Sequence, residues 1–244
     1  MKLKVPLVKL KYKLLEYKSL IQRKAREIFL HSYSQYGEDI VLGHLLCKNL
    51  VNQNGFYIDI GAHAPRELNN TYKFYRQGWE GVNIEPNPFS AKHFARSRPR
   101  DLTLSLAIGS ENKSSIFYRF NPSTLSTLDK YEASKYQREG FKLLSKANVK
   151  TLTLKSLFEK YAAAKDIDFI SLDIEGYELE ALKSNDWNIY RPWLLLIETN
   201  RNDSEIVKYL KSVNYLAIWS NKTNTIFVDC LSNRVEKQLL AGAL

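Results

Sequence analysis

Two apolar segments of this 244-residue chain end at positions where a small ligand could be held. Phe56 to Ile60 is an apolar, β-branched run that stops at Gly61, as expected of a buried strand in a parallel sheet. Gly81 to Ile84 is a second such run, and Glu85 follows it directly. Ligands of open parallel sheets bind outside the carboxyl ends of the strands. Glu85 is suited to the two hydroxyls of a ribose, because one carboxylate accepts several hydrogen bonds.

The turn after the first of these strands restricts the kind of nucleoside ligand. It reads Gly61-Ala62-His63-Ala64-Pro65-Arg66 and contains a single glycine. A dinucleotide site uses G-x-G-x-x-G, whose glycines let backbone amides close on a pyrophosphate. The turn therefore disfavours NAD and FAD, and it favours a ribose-plus-adenine ligand without phosphates, of which S-adenosylmethionine is the common one. The alternative is an ordinary α/β domain in which Asp59 and Glu85 are solvated.

Two later strands also end in carboxylates. Phe169 to Asp173 continues into Ile174-Glu175-Gly176, and Leu194 to Glu198 repeats the pattern. Neighbouring parallel strands would bring Asp173 and Glu198 to one crevice, where two carboxylates repel each other unless a proton or a cation intervenes. A divalent ion, Mg²⁺ or Mn²⁺, held by Asp173 and Glu198 would resolve this repulsion and could also bind an acceptor hydroxyl. The sequence does not decide between a proton and a divalent cation.

Four segments, in order, resemble the FkbM family of S-adenosylmethionine-dependent methyltransferases over residues 34–229. They are Ser34-Gln35-Tyr36-Gly37-Glu38-Asp39, Asp59-Ile60-Gly61-Ala62-His63, Gly78-Trp79-Glu80-Gly81-Val82-Asn83-Ile84-Glu85-Pro86 and Ser171-Leu172-Asp173-Ile174-Glu175-Gly176. Many relatives read Gly-Ala-Asn-x-Gly after the first strand. This chain instead resembles a subgroup with His-x-Pro at 63–65 and an Asn-Thr pair at 70–71.

The resemblance implies a Rossmann-like α/β fold with a seven-stranded methyltransferase sheet. It implies S-adenosylmethionine as cofactor, with Glu85 on the ribose and Gln35 near the methionine end. The remaining expected cofactor contacts are Asp59, Gly61, Ala62 and the backbone of Ala107 and Ile108. Glu38 and Asp39 fit the same role as Gln35, although a capping box that opens a helix at Gly37 explains them as well.

The expected reaction is methyl transfer to a hydroxyl. The sulfonium is already electrophilic, so the protein mainly aligns the acceptor oxygen and supplies a base. His63, Asp173 and Glu175 are the candidate catalytic residues, and His63 is attractive as a base because an imidazole ordinarily titrates near neutral pH. A turn-stabilising role for His63 is the alternative. The resemblance, which includes carbohydrate and polyketide methylation, implies a sugar acceptor that is nucleotide-linked or part of a glycan.

The elements that must position these residues alternate along the chain, which predicts a parallel sheet. Predicted strands cover 57–60, 81–85, 102–108, 115–120, 169–173, 194–198, 215–219 and 225–228, the last two forming a terminal antiparallel hairpin. Predicted helices cover 6–29, 37–51, 70–77, 88–97, 154–161, 177–183 and 204–211. Residues 121–150 interrupt the alternation with a segment rich in Ser, Lys and Tyr, typical of a lid or binding loop. A variable surface insertion is the alternative.

The net charge of +10 is concentrated at the N-terminus. Residues 1–30 carry nine Lys or Arg against two Glu, a net of +7, which leaves +3 for the other 214 residues. A nucleic-acid partner is therefore not expected, because such binders carry a basic face on the domain itself. Residues 1–33 are predicted to form a basic amphipathic helical extension to a methyltransferase domain at 34–244. That helix would pack on the domain or on a second subunit, or else lie on an anionic membrane.

No secretory signal or stretch of ~18 apolar residues is present in the sequence. Cys47 and Cys230 lie in apolar surroundings and are expected to be buried free thiols. Together these features predict a cytoplasmic protein, with peripheral membrane contact through residues 1–30 as an addition. The alternative functions are a nicotinamide-dependent oxidoreductase and a non-enzymatic, membrane-apposed binding module.

Overall fold

The computed structural model describes residues 31–47, 54–199 and 203–234. The described helices are α1 (Glu38–Cys47), α2 (Tyr72–Arg76), α3 (Pro88–Ser97), α4 (Lys130–Arg138), α5 (Leu154–Tyr161), α6 (Glu178–Lys183) and α7 (Asp203–Ser212). The strands are β1 (Phe56–Ile60), β2 (Glu80–Ile84), β3 (Leu102–Leu104), β4 (Ala107–Ile108), β5 (Lys113–Asn121), β6 (Lys142–Leu152), β7 (Phe169–Leu172), β8 (Leu194–Glu198), β9 (Tyr215–Ser220) and β10 (Asn224–Asp229).

The main sheet has seven strands in the order β3-β2-β1-β7-β8-β10-β9. The first five are parallel, and β10 runs antiparallel to both β8 and β9. The order reverses between β1 and β7, so the carboxyl ends of these two strands flank the crevice where such sheets bind ligands. The predicted Rossmann-like sheet with a terminal antiparallel hairpin is confirmed.

Helices cover both faces of the main sheet, as the apolar composition of the central strands requires. On one face Ile58, Ile60 and Leu195 pack with residues of α5, α6 and α7, such as Leu157 and Leu182. On the other face Tyr57 and Phe169 pack with Leu42 and Leu46 of α1 and Phe74 of α2. The sheet is therefore the rigid middle layer of a three-layer domain, and its strand ends are held in fixed register.

Residues 121–150 do not form a plain loop. β5 and β6 pair antiparallel over nine register positions, and β4 joins the base of β6 in a separate three-stranded sheet. α4 packs on this sheet through Tyr136, against Phe120 of β5. We call residues 113–152 the insert. The predicted strand 102–108 is also divided, since its first part joins the main sheet as β3 and its last two residues join the insert as β4.

Further predictions from the sequence concern the cysteines, the N-terminal segment and membrane-spanning helices. Cys230 is exposed, so the expectation that it is buried was wrong: it follows directly after β10, where the chain returns to solvent. Residues 1–30, with their predicted amphipathic helix, and residues 48–51 of the second predicted helix lie outside the described residues. Among the described helices, none has the length and apolar character needed to cross a membrane.

Candidate active site

The carboxyl ends of β1, β2, β7 and β8 place the sequence-predicted residues along one edge of the sheet. The amides of Gly61 and Ala62 donate to the carbonyl of Ile84 at 3.0 and 3.1 Å, and the amide of Asp173 donates to the carbonyl of Ile60 at 3.0 Å. Gly61 has a φ of +81°, and a Cβ there would lie 1.7 Å from the carbonyl oxygen of Asp173. Only glycine therefore fits, because the β1 turn lies directly against the end of β7.

Glu85, at the end of β2, holds two backbone turns with its carboxylate. Oε2 accepts from the His63 amide at 2.9 Å and Oε1 from the Asn87 amide at 2.7 Å. The side chain is buried, and desolvation raises its pKa to about 7 despite these two hydrogen bonds. An ionised carboxylate has about four acceptor sites, so two of them remain for ligand hydroxyls after the amides are counted.

His63 lies between the main sheet and the insert. Its Nε2 is 3.0 Å from the hydroxyl oxygen of Ser123, which belongs to a short 3₁₀ turn after β5. Its φ of +54° is in the left-handed region, which costs a residue with a Cβ roughly 1–2 kcal/mol. Glu175 after β7 has a φ of +58°. Strained backbone of this kind concentrates at functional sites, and here it occurs at two of the candidate catalytic residues.

The turn after β7 is organised by a carboxylate that the sequence analysis did not select. Glu178, at the start of α6, accepts from the Ile174 amide at 2.8 Å and from the Gly176 amide at 3.1 Å. Burial is the main reason that the pKa of Glu178 is raised. This turn carries Asp173 and Glu175, and the two amide hydrogen bonds to Glu178 therefore fix the backbone that positions them.

Asp173, Glu178 and Glu198 each offer a carboxylate oxygen, and these three oxygens lie within 4.8 Å of one another. Hard oxygen ligands at this spacing fit Mg²⁺ or Mn²⁺. The group contains the predicted pair Asp173 and Glu198, whose role as metal ligands stays a prediction, and it adds Glu178 as a third candidate.

Comparison with known proteins now adds to this geometry. A family model described as the methyltransferase FkbM domain matches residues 59–217, a range that spans all four strand ends of the site. The chain belongs to the FkbM methyltransferase family. Its cofactor is accordingly S-adenosylmethionine. No curated protein matches this FkbM methyltransferase significantly in sequence.

Solved structures resemble the FkbM methyltransferase at low identity. Precorrin-6y C5,15-methyltransferase from Geobacter metallireducens is 10% identical, with a TM-score of 0.42, over 79% of this chain and 86% of that one. A TehB-like SAM-dependent methyltransferase from Corynebacterium glutamicum is 9% identical, with a TM-score of 0.43, over 88% and 98%. The 1,6-didemethyltoxoflavin-N1-methyltransferase of Burkholderia thailandensis, solved with S-adenosylhomocysteine, is 11% identical, with a TM-score of 0.40, over 89% and 87%.

Asp59 of the FkbM methyltransferase is placed below the β1 turn and not at the strand end. Its Oδ2 accepts from the Asn69 side-chain amide at 2.9 Å and from the Thr71 hydroxyl at 2.7 Å, and all three residues are buried. The Asn69 amide also reaches the carbonyl of Ala62 at 3.3 Å. Asp59 therefore supports the cofactor turn from beneath, and its predicted direct contact with the cofactor stays a prediction.

Arg98, which sequence reasoning missed, completes this support. Its fully buried guanidinium uses all five N–H donors, and its acceptors are Asp101, Tyr57, Thr71, Asn69 and the carbonyl of Pro65. Pro65 and Thr71 bracket the loop that follows the β1 turn. A buried arginine is saturated only when distant segments converge on it, and no local sequence pattern reports such convergence.

Gln35, predicted near the methionine end, is partly exposed and donates to the Tyr36 hydroxyl at 3.3 Å. The neighbouring acids are used internally. Asp39 accepts from the Tyr33 amide at 2.7 Å, while Glu38 accepts from the Tyr36 amide and from the side chains of Asn221 and Asn224 at 2.7–2.8 Å. The bonds from Asn221 and Asn224 tie the start of α1 to the terminal hairpin.

The insert makes contacts with the candidate catalytic residues that were not predicted from the sequence. The Thr127 hydroxyl donates to the carbonyl of Glu175 at 3.0 Å, and the Tyr136 hydroxyl donates to its Oε2 at 3.3 Å. The Ser123 hydroxyl contacts His63 Nε2. Ala107 and Ile108, predicted to line the cofactor with their backbone, are buried in β4 at the base of the same insert. The predicted lid thus contacts both turns that carry candidate catalytic residues.

Proposed function

We propose that this S-adenosylmethionine-dependent methyltransferase is an O-methyltransferase that acts on a hydroxyl of a saccharide, either nucleotide-linked or part of a glycan. The observation that carries the proposal is the convergence of Glu85, His63 and the Asp173–Glu175 turn at one sheet edge, beneath an insert that contributes hydroxyl groups. In this proposal Glu85 binds the cofactor, and His63 and the Asp173–Glu175 turn act on the acceptor.

The cofactor half of the site is formed by β1 and β2. Glu85 accepts hydrogen bonds from both ribose hydroxyls, while the glycine at position 61 lets the turn lie flat beside the cofactor. Ala62 follows in the same turn, and its carbonyl is held by Asn69. Because the turn is already fixed by Glu85 and Asn69, little ordering is required when the cofactor binds.

The acceptor half is formed by His63 and the β7 turn. The acceptor oxygen attacks the methyl carbon, the carbon–sulfur bond breaks, and its electron pair stays on the departing thioether. The hydroxyl proton passes to a base, for which His63, Asp173 and Glu175 are the candidates. His63 already holds a hydroxyl oxygen, that of Ser123, at 3.0 Å from Nε2, which is the distance required between a base and an alcohol.

A saccharide acceptor is supported by the polarity of the insert. Ser123, Thr127 and Tyr136 bring three hydroxyl groups to the two catalytic turns. A flat apolar acceptor would instead require a pocket lined mainly by aromatic and aliphatic side chains. If Mg²⁺ or Mn²⁺ binds, Asp173, Glu178 and Glu198 would hold it, and it would supply a Lewis acid that lowers the pKa of a coordinated hydroxyl.

The test is a panel of nucleotide sugars and free glycans, assayed with S-adenosylmethionine for release of S-adenosylhomocysteine. We expect turnover on at least one saccharide, with mass spectrometry showing the added methyl group on oxygen. Turnover confined to lipophilic alcohols, to protein side chains or to nitrogen would contradict the proposal. Addition of EDTA, followed by Mg²⁺ or Mn²⁺, decides whether the acidic cluster binds a cation that the reaction needs.

Family membership excludes the nicotinamide-dependent alternative as the main activity, and a simple truncation tests the binding-module alternative. We propose that residues 1–30 serve localisation, by peripheral contact of a cytoplasmic enzyme with membrane or by contact between subunits. Their deletion should then leave turnover on a soluble saccharide unchanged. Sedimentation of the full chain and the truncated chain would show whether the segment supports an oligomer.

A further inference from the structure

The net positive charge of residues 31–244 is located in the insert. Residues 113–152 contain eight Lys or Arg against three Asp or Glu, a net of +5. Residues 31–244 have a net charge of +3, so the remainder of that range is at −2. Of the three acids, Asp129 caps α4 and Glu132 pairs with Lys135, so both serve the helix of the insert. The insert is therefore a cationic unit on a slightly anionic body.

The two faces of the β5–β6 ribbon differ in composition. The inner face is defined by the register pairs Ser115 with Val149 and Phe117 with Ala147, and its residues are partly or fully buried. On the outer face Ser114 pairs with Lys150, and Ile116 with Asn148, and these four residues are exposed. None of these outer positions is acidic.

Lysines and apolar side chains share this outer face. Lys146 is exposed and pairs with Tyr118, which is itself buried against α4, and its ammonium lies 5.4 Å from that ring. Lys150 follows four residues later, about 14 Å along a strand. Ile116 is 48% exposed, and Leu144, two residues before Lys146, is 50% exposed. Exposed apolar side chains framed by lysines, at strand positions that include no acid, match an anionic bilayer. The lysines meet the lipid phosphates and the apolar groups enter the interface.

We infer that the outer face of the β5–β6 ribbon is a docking surface for an anionic lipid membrane. The face acts in addition to the proposed contact through residues 1–30, and it does not depend on the nature of the acceptor. An acidic polysaccharide would satisfy the lysines but would leave Ile116 and Leu144 exposed to water. Because Ser123 of the same insert contacts His63, docking through this face would hold the catalytic edge close to the lipid headgroups.

The experiment is co-sedimentation of the full chain with vesicles of phosphatidylcholine alone or with added phosphatidylglycerol. We expect binding to the anionic vesicles only, weakening as salt is raised. Lys146→Gln/Lys150→Gln should weaken binding about 30-fold, since each surface lysine contributes about 1 kcal/mol. Ile116→Ser/Leu144→Ser should weaken it several-fold at unchanged charge.

A matched control is Lys208→Gln/Lys211→Gln, which removes the same charge from exposed positions of α7. Residues 1–30 are identical in every variant, so their contribution cancels in the comparison. Binding within twofold of wild type for the control supports the assignment. The inference is overturned if both lysine pairs weaken binding equally, or if the Lys146/Lys150 variant binds like wild type. It is also overturned if the chain binds heparin but neither kind of vesicle.

Discussion

Two groups of buried carboxylates lie within one domain, and they are satisfied in different ways. Beneath the β1 turn, Asp101 is paired with the guanidinium of Arg98 at 2.8 Å. Asp59 is linked to the same guanidinium through Asn69 and Thr71. At the carboxyl edge, Glu85 and Glu178 are instead held by backbone amides. One group is charge-compensated and the other is not.

The carboxylates near Arg98 support the structure, whereas Glu85 and Glu178 lie at the edge where ligand binding is proposed. In the first group the guanidinium of Arg98 opposes the rise that burial causes in the pKa of Asp59, which suits a support that must not change. A carboxylate held only by amides is desolvated without a countercharge, and its pKa rises, as that of Glu85 does. Such a group gains from a ligand that donates hydrogen bonds, so the edge is where binding energy becomes available.

The largest expected effect is on stability, from removing the countercharge of the scaffold group. Arg98→Met would leave two carboxylates buried without their cation and should lower the free energy of unfolding by about 3–5 kcal/mol. Burial raises the pKa of Asp59 and Arg98 opposes that rise, so without Arg98 the pKa of Asp59 rises further. The folded state then holds a proton that the unfolded state releases, and the deficit grows as pH rises above about 4.

Urea titrations at pH 5 and pH 8 would measure this loss. The matched control is Arg100→Met, because Arg100 is exposed and stacks on Tyr75 at 4.0 Å. That change should cost under about 1 kcal/mol at either pH. Equal losses for the two variants would show that Arg98 does not stabilise the fold by compensating buried carboxylates.

The second effect is on turnover, at the β7 turn. Asp173→Asn keeps the size of the side chain but removes the charge that can accept a proton or hold a cation. The turnover number should fall at least about 10²-fold, the lower end for loss of a general base. Affinity for S-adenosylhomocysteine should change little, because Asp173 is not needed for ribose or adenine. His63→Ala, measured in parallel, shows which group is the base; near wild-type turnover in both would place the chemistry elsewhere.

The third effect is on cofactor affinity, at the end of β2. Glu85→Ala should weaken S-adenosylhomocysteine binding by about 1.5–3 kcal/mol in isothermal titration, the contribution of hydrogen bonds to a charged acceptor. Ribose hydroxyls favour the ionised carboxylate, whose pKa in the free protein is about 7. Wild-type affinity should therefore be full above pH 7 and fall up to tenfold per pH unit below it. A pH-independent wild-type affinity would contradict this role.

The sequence predicted the strands of the main sheet well, because buried parallel strands are continuous apolar runs that end at Gly61, Glu85 or Asp173. It missed β6, where Lys146, Asn148 and Lys150 alternate with the small or apolar Ala147 and Val149. That period of two is the signal of a half-buried strand, but the high polarity of the segment masked it.

Some residues of the candidate site were likewise predicted from the sequence, and others were not. The strand-end residues Glu85 and Asp173 were predicted from strand endings, since parallel strands bring their carboxyl ends to one edge. The partners Arg98, Glu178 and Ser123 were not predicted. Each acts through a fixed distance to a residue on another element, and only the folded register defines that distance. Asp59 lies inside β1, and the sequence did not predict that its carboxylate would accept from Asn69 and Thr71 beneath the turn.

The smallest expected effect tests whether the insert belongs to the chemistry or only covers it. Ser123→Ala removes the hydroxyl 3.0 Å from His63 Nε2, and Tyr136→Phe removes the hydroxyl 3.3 Å from Glu175 Oε2. One neutral hydrogen bond contributes roughly 0.5–1.5 kcal/mol, so each change should lower the turnover number about two- to tenfold. If Ser123 orients His63 as the base, Ser123→Ala should also move the acidic limb of the pH–rate profile, whereas Tyr136→Phe should not. Ser134→Ala is the control, because its hydroxyl donates to the carbonyl of Lys130 within α4 itself. Equal kinetics for all three variants would make the insert a cover that takes no part in catalysis.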